Sequence, residues 1–306
     1  YELISHNYIR GFHLFLVRIL YRTPHLHREF EVNLILDGSV EILSQGRGYH
    51  AETGDFFVFD PYQPHELRAR EGTVLILSIQ ISPAFFSDYF PQMESVRFGT
   101  EIFHRTASPR HQQLYRQLLE LTCCYCQKAP FYELDCARDI NALFRALLDV
   151  SAFTVVSEAE RPAQRARQER VRYLAERIEG GFSEKLLLGD LAKELGVDLY
   201  YLSHFFREHF GLSFQEYLAK LRCEKARREL LLTDRSLLDI GLSCGFSSPK
   251  YFQRAFQKQY GATPKEYRRQ APRETGELPA ASVLTSQEFL SDHESLRVVQ
   301  RLLEQG

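Results

Sequence analysis

The chain has 306 residues, of which 44% are hydrophobic and 25% are charged, a mixture that is typical of folded globular proteins and excludes a fibrous or disordered chain. Its length fits two domains better than one. With 38 Lys and Arg against 40 Asp and Glu, the formal net charge is −2, which taken alone argues against a polyanion as a partner.

The cysteines and the hydropathy pattern argue against two further classes, disulfide-rich proteins and membrane-spanning proteins. Six cysteines in a chain of this length do not make a disulfide scaffold, and no apolar run reaches the ~18 residues of a membrane span. We therefore expect a cytoplasmic protein with reduced thiols and no cofactor. Cys123 and Cys126 form a CxxC pair, but the segment is predicted to be helical and has no second ligand pair nearby, so we expect no zinc there.

The first hundred residues predict a β domain, which we place at residues 1–106. Short runs rich in β-branched or aromatic residues, separated by turn signals, predict strands at 12–19, 30–36, 40–43, 55–59 and 74–81. Asp37-Gly38 indicates a hairpin, and residues 45–48 indicate a further turn. Many short strands at this spacing favour a small sandwich or barrel.

Residues 107–164 predict a helical hairpin followed by a linker. Residues 111–127 and 135–153 have leucines and other apolar residues at helical spacing, and Pro130 separates the two segments. The polar run 157–168 predicts the linker to the next domain.

Residues 165–271 are predicted to be helical throughout and contain an internal repeat. Leu191, Ala192 and Gly196 recur 49 positions later as Ile240, Gly241 and Gly245, and a second set recurs 50 positions later. In that set Leu202, Phe206, Gly211, Ser213 and Tyr217 become Phe252, Phe256, Gly261, Thr263 and Tyr267. Each copy predicts a helix, a tight turn at a glycine and a second helix, which is the helix-turn-helix motif.

The second helix of each copy is the one that enters a major groove of DNA, and we call these two helices the reader helices. Asp198 is the predicted N-cap of the first, and Ser247 or Ser248 that of the second. Because their apolar positions face inward, the outward side chains are the candidate DNA-binding residues: Tyr200, Ser203, His204 and Arg207 in the first, and Ser248, Lys250, Gln253 and Arg254 in the second.

The connector between the copies supports two adjacent binding sites. Residues 214–232 predict a helix of about 28 Å at ~1.5 Å per residue, close to the ~34 Å of one DNA turn. One chain could therefore occupy two successive major grooves.

The charge is divided unevenly along the chain. Residues 165–270 hold 20 Lys and Arg against 14 Asp and Glu, a net charge of +6, and the remaining residues carry −8. The near-neutral total therefore hides a basic module suited to phosphates. Beyond it, residues 272–281 predict a flexible connector, and residues 286–304 predict an amphipathic helix that either binds a partner or, as we favour, packs on its own chain.

The helical region resembles the DNA-binding domain of AraC/XylS-type transcription regulators over about a third of the chain. The matching segments include Asp190-Leu191-Ala192, Gly211-Leu212-Ser213-Phe214, Gly245-Phe246 and Gly261-Ala262-Thr263-Pro264. Two positions depart from the pattern: Leu187 replaces the usual Ser or Thr cap, and Gly241 replaces the usual Ala. Each is expected to lower slightly the stability of the leading helix of its copy.

This resemblance implies a bacterial transcription regulator, not an enzyme, that binds double-stranded DNA as a homodimer and has RNA polymerase as a partner. It also implies that the helical hairpin is the dimerisation element, although its leucines equally suit packing against the β domain of the same chain.

The β domain carries a second resemblance. His25-x-His27-x3-Glu31-x6-Gly38 matches much of the first cupin motif, and Gly54-Asp55 with Pro61 and His65 resembles the second. The expected fold class is therefore α+β: an N-terminal cupin-like β-barrel with a helical hairpin, followed by a C-terminal all-α double helix-turn-helix domain.

The cupin resemblance implies a small-molecule effector inside the barrel. The candidate effector-binding residues are Arg18, His25, His27, Glu31, Tyr49 and His65. We expect a sugar or a related metabolite, while the abundant Phe would equally suit an aromatic compound. In a metal cupin the residues that correspond to His25, His27, Glu31 and His65 bind one ion. We favour a pocket without metal, and the alternative function is a metal-dependent cupin enzyme, an isomerase or a dioxygenase, with an accessory DNA-binding domain.

Overall fold

The computed structural model describes residues 9–270 and 286–305, and these residues form an α+β protein. The strands are β1 (Phe12–Ile19), β2 (Tyr21–His25), β3 (Phe30–Asp37), β4 (Ser39–Ser44), β5 (Arg47–Glu52), β6 (Asp55–Phe59), β7 (His65–Ala69), β8 (Val74–Ile81), β9 (Val96–Arg97), β10 (Ile102–His104), β11 (Thr154–Val155) and β12 (Gln287–Phe289). The α-helices are α1 (Pro109–Gln127), α2 (Tyr132–Val150), α3 (Arg161–Gly181), α4 (Leu188–Glu194), α5 (Leu199–Phe210), α6 (Phe214–Leu232), α7 (Leu237–Ser243), α8 (Pro249–Tyr260), α9 (Pro264–Gln270) and α10 (Asp292–Gln305).

Two antiparallel sheets face each other, and all of their strands except β12 lie in the first half of the chain. One has the order β10-β6-β3-β8-β1-β12 and the other the order β2-β7-β4-β5. Apolar side chains from both sheets, among them Val17, Ile35, Val40, Phe57 and Leu67, form one buried cluster between them. Within the described residues no ladder joins the two sheets, so the predicted barrel is present as an open one.

Strands β1, β3 and β8 are buried on both faces. Successive side chains of a strand point to opposite faces, so Phe12, Leu14 and Leu16 face one way and Val17 and Ile19 the other. The first set belongs to a core that the six-stranded sheet shares with α1, α2 and α10. We call the sheets together with these three helices the β domain.

The leucines of the helical hairpin lie in this same core. Leu114, Leu118, Leu143 and Leu147 are fully or nearly fully buried beside the phenylalanines of β1 and β3, such as Phe12. Of the two interpretations left open by the sequence, packing against the same chain is the one that the structure shows for these leucines.

Three predicted boundaries are wrong. The predicted linker 157–168 is helical from Arg161 onward, because Pro162 fits a first helical turn and the polar side chains that follow lie on an exposed helix surface. Helix α3 therefore crosses the predicted boundary at 164/165. In the predicted turn 45–48 only two residues turn, and strand β5 begins at Arg47. The predicted helix 286–304 begins with a strand, and α10 starts at Asp292; the predicted connector 272–281 lies outside the described residues.

Helices α3 to α9 form a second unit, residues 161–270, which we call the helical module. One apolar cluster joins α3, α4, α5 and the first half of α6, and a second cluster joins the second half of α6 to α7 and α8. Helix α6 has the predicted bounds and contributes Tyr217 and Leu218 to the first cluster and Cys223, Ala226 and Leu230 to the second. Among the helices of the described residues, none has the length and apolar character needed to cross a bilayer.

Candidate DNA interface and effector pocket

The first helix-turn-helix unit is formed by α4 and α5. Gly196 takes a positive φ of 64° after α4, a backbone conformation that glycine adopts without steric cost. Asp198 then caps α5, because its Oδ1 accepts a hydrogen bond from the Tyr201 N–H at 2.8 Å. Tyr200, Ser203, His204 and Arg207 are all exposed on α5, as the pattern predicts.

The second unit repeats this arrangement with α7 and α8. Gly245 takes a φ of 89°, and Ser248 is the N-cap of α8, accepting from the Tyr251 N–H at 3.3 Å. Lys250, Gln253 and Arg254 are exposed, and Ser248 is half-buried because its hydroxyl serves the cap. The two reader helices therefore present the predicted side chains to solvent.

Side chains of α6 hold the two units together. The Arg222 guanidinium donates to the carbonyl oxygens of Phe182 at 2.7 Å and Glu184 at 3.0 Å, in the loop after α3. The Lys225 ammonium donates to Ser183 Oγ at 2.9 Å and to the Ser243 carbonyl at the end of α7 at 3.1 Å. One helix thus fixes the loop before the first unit and the leading helix of the second.

The two departures from the family pattern have different consequences. Leu187 stands at the N-cap of α4 and makes no side-chain capping hydrogen bond, because its side chain has no acceptor atom. Gly241 is buried in α7, and a Cβ there would lie 3.0 Å from Cδ1 of Phe252. The glycine therefore makes room for a bulky side chain of the second reader helix.

Helix α3 supports the first reader helix from the side. Arg170 Nη1 donates to the Tyr201 hydroxyl at 2.6 Å, and the guanidinium lies 5.0 Å from the ring centroid of Phe205. This contact was not predicted, because tyrosine and arginine at exposed helical positions give no signal that they meet.

Polar side chains line one end of the interior face of the six-stranded sheet. Cross-strand neighbours place Glu31 beside Gln80 and Asn33 beside Ser78, and Gln80 pairs on its other side with His13 of β1. The rest of that face is apolar, so the interior has a polar end and an apolar end. Sequence reasoning missed Asn33, Ser78 and Gln80, although polar residues at alternate positions in apolar strands were the available signal.

Three histidines gather at the polar end in one orientation. The Nδ1 atoms of His25, His27 and His65 lie 2.9–3.1 Å from backbone carbonyl oxygens two residues away, which assigns a proton to Nδ1 of each ring. His27 Nε2 donates to the Glu31 carboxylate, so this ring carries a proton on both nitrogens. His65 Nε2 is buried without a hydrogen-bond partner, and its ring stacks on Phe59 at 3.9 Å between centroids.

Burial sets the protonation of this group. Burial lowers the pKa of His25 well below its usual value and that of His65 to about 4, so both rings are neutral near pH 7. Burial opposes the charge of Glu31 as well, but the His27 ring, with His65 and Gln80, holds the pKa of this carboxyl below its usual range. His27 beside that carboxylate has a raised pKa despite its own burial.

The structure brings together four of the six predicted effector-binding residues, His25, His27, Glu31 and His65. Tyr49 faces the interior one row further along, since its partner Ile42 pairs with Leu67 rather than with His65. Arg18 does not join the group.

Strand parity explains the position of Arg18. Its cross-strand neighbour Leu75 packs in the core beneath the helices, so Arg18 shares that outer face of β1 and points away from the interior. The prediction that Arg18 contacts an effector inside the barrel does not agree with this placement.

The histidine group has the donor set of a transition-metal site. One ligand atom each from His25, Glu31 and His65 lie within 4.8 Å of one another. Two neutral imidazoles whose Nδ1–H groups are anchored to carbonyls, with one ionised carboxylate, fit Zn²⁺ or a similar divalent ion.

Two clefts lie outside the barrel interior. One of about 910 Å³ runs between α6 and α8 and is bordered by Arg68 of β7, with Lys220, Arg254 and Lys258 among its lining residues. A smaller one of about 250 Å³ lies between α3 and α5. None of the six predicted effector-binding residues lines either cleft.

Comparison with known proteins identifies both halves of the chain. A sequence profile described as the AraC-like ligand binding domain matches residues 18–175, which is more than half of the chain. A helix-turn-helix domain profile matches residues 191–270. The chain belongs to the AraC family of transcription regulators.

Individual relatives are more distant. An uncharacterised HTH-type transcriptional regulator of Staphylococcus aureus strain MRSA252 is 24% identical over 241 residues, which are 79% of this chain and 31% of that protein. The HTH-type transcriptional regulator ArgR of Pseudomonas aeruginosa is 34% identical over 93 residues, 30% of this chain and 28% of that protein. The chain thus spans about a third of the length of these curated relatives. The crystal structure of ToxT from Vibrio cholerae O395 is similar with a TM-score of 0.44 and 14% identity, covering 85% of this chain and 97% of that one.

Proposed function

We propose that this AraC-family chain is a sequence-specific DNA-binding transcription regulator whose β domain senses a small molecule. The observation that carries the DNA-binding part is the pair of helix-turn-helix units held on one connector helix, with both reader faces exposed. The net charge of +6 over residues 165–270 supplies the attraction to phosphates.

A mobility-shift assay tests the DNA-binding part. Duplexes from the neighbourhood of its own gene are titrated with protein at several salt concentrations. We expect a retarded complex whose affinity falls steeply as salt rises, because bound phosphates release counterions. Absence of a complex at low salt, with and without candidate effectors, contradicts the proposal.

The proposed effector site is the polar end of the barrel interior. Glu31, Asn33, Ser78 and Gln80 supply carboxylate, amide and hydroxyl groups on adjacent strands, and such groups suit the hydroxyls of a sugar or a related polar metabolite. We infer that the effector belongs to this class.

A thermal-shift screen of sugars and aromatic acids tests the effector site. A ligand at 100 times its Kd stabilises the folded state by ~2.7 kcal/mol, which raises the Tm of the wild type. The shift should vanish in Glu31→Gln and persist in Arg18→Ala, since Arg18 points away from the interior. A hit that is lost in Arg18→Ala but kept in Glu31→Gln contradicts the proposed site.

A divalent transition-metal ion is a second candidate effector, favoured by the unpartnered Nε2 of buried His65. His25, Glu31 and His65 would hold the ion, and its charge would draw these three side chains together. After dialysis against Zn²⁺ or Ni²⁺, elemental analysis should find about one ion per chain in the wild type and in His50→Ala, whose exposed histidine lies elsewhere, and none in His65→Ala. A wild type that holds no stoichiometric metal excludes this candidate and the metal-dependent cupin enzyme together.

The proposal includes a homodimer, RNA polymerase as a partner and a bacterial cytoplasm as the location. Because the leucines of the hairpin are buried within the chain, the hairpin would dimerise through its outer side, where Phe131 is 78% and Leu134 is 72% exposed. Light scattering should give a dimer mass for the wild type and a monomer mass for Leu134→Glu.

A further inference from the structure

The chain returns to the β domain after it has completed the helical module. Strand β12 pairs antiparallel with the edge strand β1, with Val17 opposite Phe289 and Ile19 opposite Gln287. Helix α10 continues across α1, and Val299 is fully buried in the core of the β domain. Residues 286–305, which we call the strap, are thus part of the β domain although they follow the helical module in sequence.

The first residue of the strap is bonded to the helical module. Ser286 is buried, and its Oγ donates to Glu224 Oε1 of α6 at 2.6 Å. The same carboxylate accepts from the Arg227 guanidinium at 3.0 Å and from the Tyr260 hydroxyl of α8 at 2.7 Å. Glu224 therefore joins the strap to the connector helix α6 and to the second reader helix α8.

Strand β2 closes this junction from the β domain. The Leu20 N–H donates to the Ser286 carbonyl at 2.9 Å, and Arg22 Nη1 donates to Gln287 Oε1 at 3.1 Å. The Tyr21 ring meets the Tyr260 ring edge to face, with centroids 6.4 Å apart. Strap, strand and helical module meet at one buried point.

Two further contacts link α6 to the strands that carry the histidines. The Tyr217 hydroxyl donates to the carbonyl oxygen of Pro24, next to His25, at 2.9 Å. Lys220 Nζ lies 2.7 Å from Glu66 Oε1, next to His65. Helix α6 is therefore held against the β domain at Tyr217 and Lys220, and the strap joins it one turn further on, at Glu224.

We propose that the strap locks the helical module onto the β domain, and that its release at Ser286 frees the module to move. A chain joined only between α2 and α3 leaves the module free to separate, whereas a second attachment raises the effective concentration of the two surfaces. Leaving the junction also strips a buried carboxylate of one donor, which opposes release. This inference goes beyond the regulator function and requires neither an operator nor an effector.

The test places a second carboxylate against Glu224. In Ser286→Asp two like charges meet in a buried site, which disfavours docking of the first residue of the strap. The matched control is Ser291→Asp, because the Ser291 hydroxyl likewise donates to a carboxylate, that of Glu294, but at the exposed start of α10, where solvent screens the two charges. Full-length wild type and both variants are compared by scanning calorimetry and by small-angle X-ray scattering.

The wild type and Ser291→Asp should unfold in one transition and share one radius of gyration. Ser286→Asp should unfold in two separate transitions and have a larger radius of gyration at room temperature. Ser286→Ala removes only the hydrogen-bond donor, so it should separate the two unfolding transitions less and increase the radius of gyration less than Ser286→Asp does. An alanine variant that behaves like the wild type while the aspartate variant is unfolded would indicate a general folding failure. One unchanged transition and an unchanged radius in Ser286→Asp would overturn the proposal, whatever the DNA-binding assays show.

Discussion

Corresponding positions of the two reader helices carry different chemistry. A shift of 50 residues pairs Tyr200 with Lys250, Ser203 with Gln253, and His204 with Arg254. The second helix therefore presents a guanidinium, which can bind guanine edges in two-point fashion, where the first presents an imidazole, while Arg207 of the first helix corresponds to Gln257 of the second. The two units are accordingly expected to prefer different base pairs.

Removing the Arg254 guanidinium tests this asymmetry. Arg254→Ala should weaken binding to the preferred duplex by ~1–3 kcal/mol and relax the preference at one base pair if the side chain reads a base. Fluorescence anisotropy with a set of single-base variants measures both effects. Arg297→Ala removes an exposed arginine from the strap and should leave affinity unchanged. A uniform loss across all duplexes would instead assign Arg254 to a phosphate.

The effector pocket shows how far single residues can be predicted. The histidines and Glu31 come together because the motifs place His25 and His65 on the paired strands β2 and β7, and Glu31 on β3 of the opposing sheet. Arg18 was misplaced because residue type was considered without strand parity, and parity alone puts it on the outer face. Asn33 stands out as a polar position in an apolar strand, but its contact with Ser78 depends on the register of two strands that are far apart in the chain, which no single sequence gives.

At the scale of elements, the repeat predicted the helical module well. Both copies have the expected turn glycines. The helix that follows each reader helix, α6 or α9, begins with the same pair of capping hydrogen bonds, between Ser213 and Glu216 in α6 and between Thr263 and Glu266 in α9. Helix α3 and strand β12 were predicted less well. A polar run at a helix start resembles a linker, and a three-residue strand has too few residues to show alternation.

The contact between α7 and α8 makes Gly241 a packing residue. Alanine has a higher helix propensity than glycine by ~1 kcal/mol, but a Cβ at 3.0 Å from Phe252 must displace the ring, and overpacking costs ~1–3 kcal/mol. Gly241→Ala should therefore lower the free energy of unfolding by ~1 kcal/mol, as measured by urea denaturation.

Two variants check that interpretation. Gly189→Ala in α4 meets no atom within 4 Å and should raise stability by ~0.5–1 kcal/mol through propensity alone. Combining Gly241→Ala with Phe252→Leu should recover part of the loss that the two single changes predict by addition. A stabilising effect of Gly241→Ala alone contradicts the packing argument.

At the scale of the whole molecule, the junction at Glu224 makes stability depend on acidity. Burial alone would raise the pKa of Glu224, but the bonds from Arg227, Ser286 and Tyr260 hold it below its usual value. A carboxyl with a lowered folded-state pKa stabilises the fold above its unfolded pKa of ~4.3 and loses that contribution as pH falls through the folded value.

Urea denaturation between pH 7 and pH 3 tests this dependence. Glu224→Gln should be less stable than the wild type at pH 7, and the difference should shrink as the pH falls below ~4.3 toward the lower folded-state pKa, because the carboxyl takes up a proton in the unfolded chain before it does so in the folded one. Glu304→Gln, at the exposed end of α10, serves as the control and should follow the wild type. A difference that stays constant down to pH 3 would mean that Glu224 acts only through its shape.

The approach of Gly46 to Gly211 has a consequence for building hybrid regulators. A Cβ at Gly211 would lie 2.1 Å from the backbone nitrogen of Gly46, in the turn between β4 and β5, and both glycines have positive φ. The two main chains meet directly, and the position that admits no side chain is 211, since a Cβ at Gly46 would lie 3.5 Å from Gly211, an ordinary contact. A foreign DNA-binding module should therefore fit this β domain only when it has glycine at the position of Gly211, so one residue at the end of the first reader helix decides which parts can be exchanged.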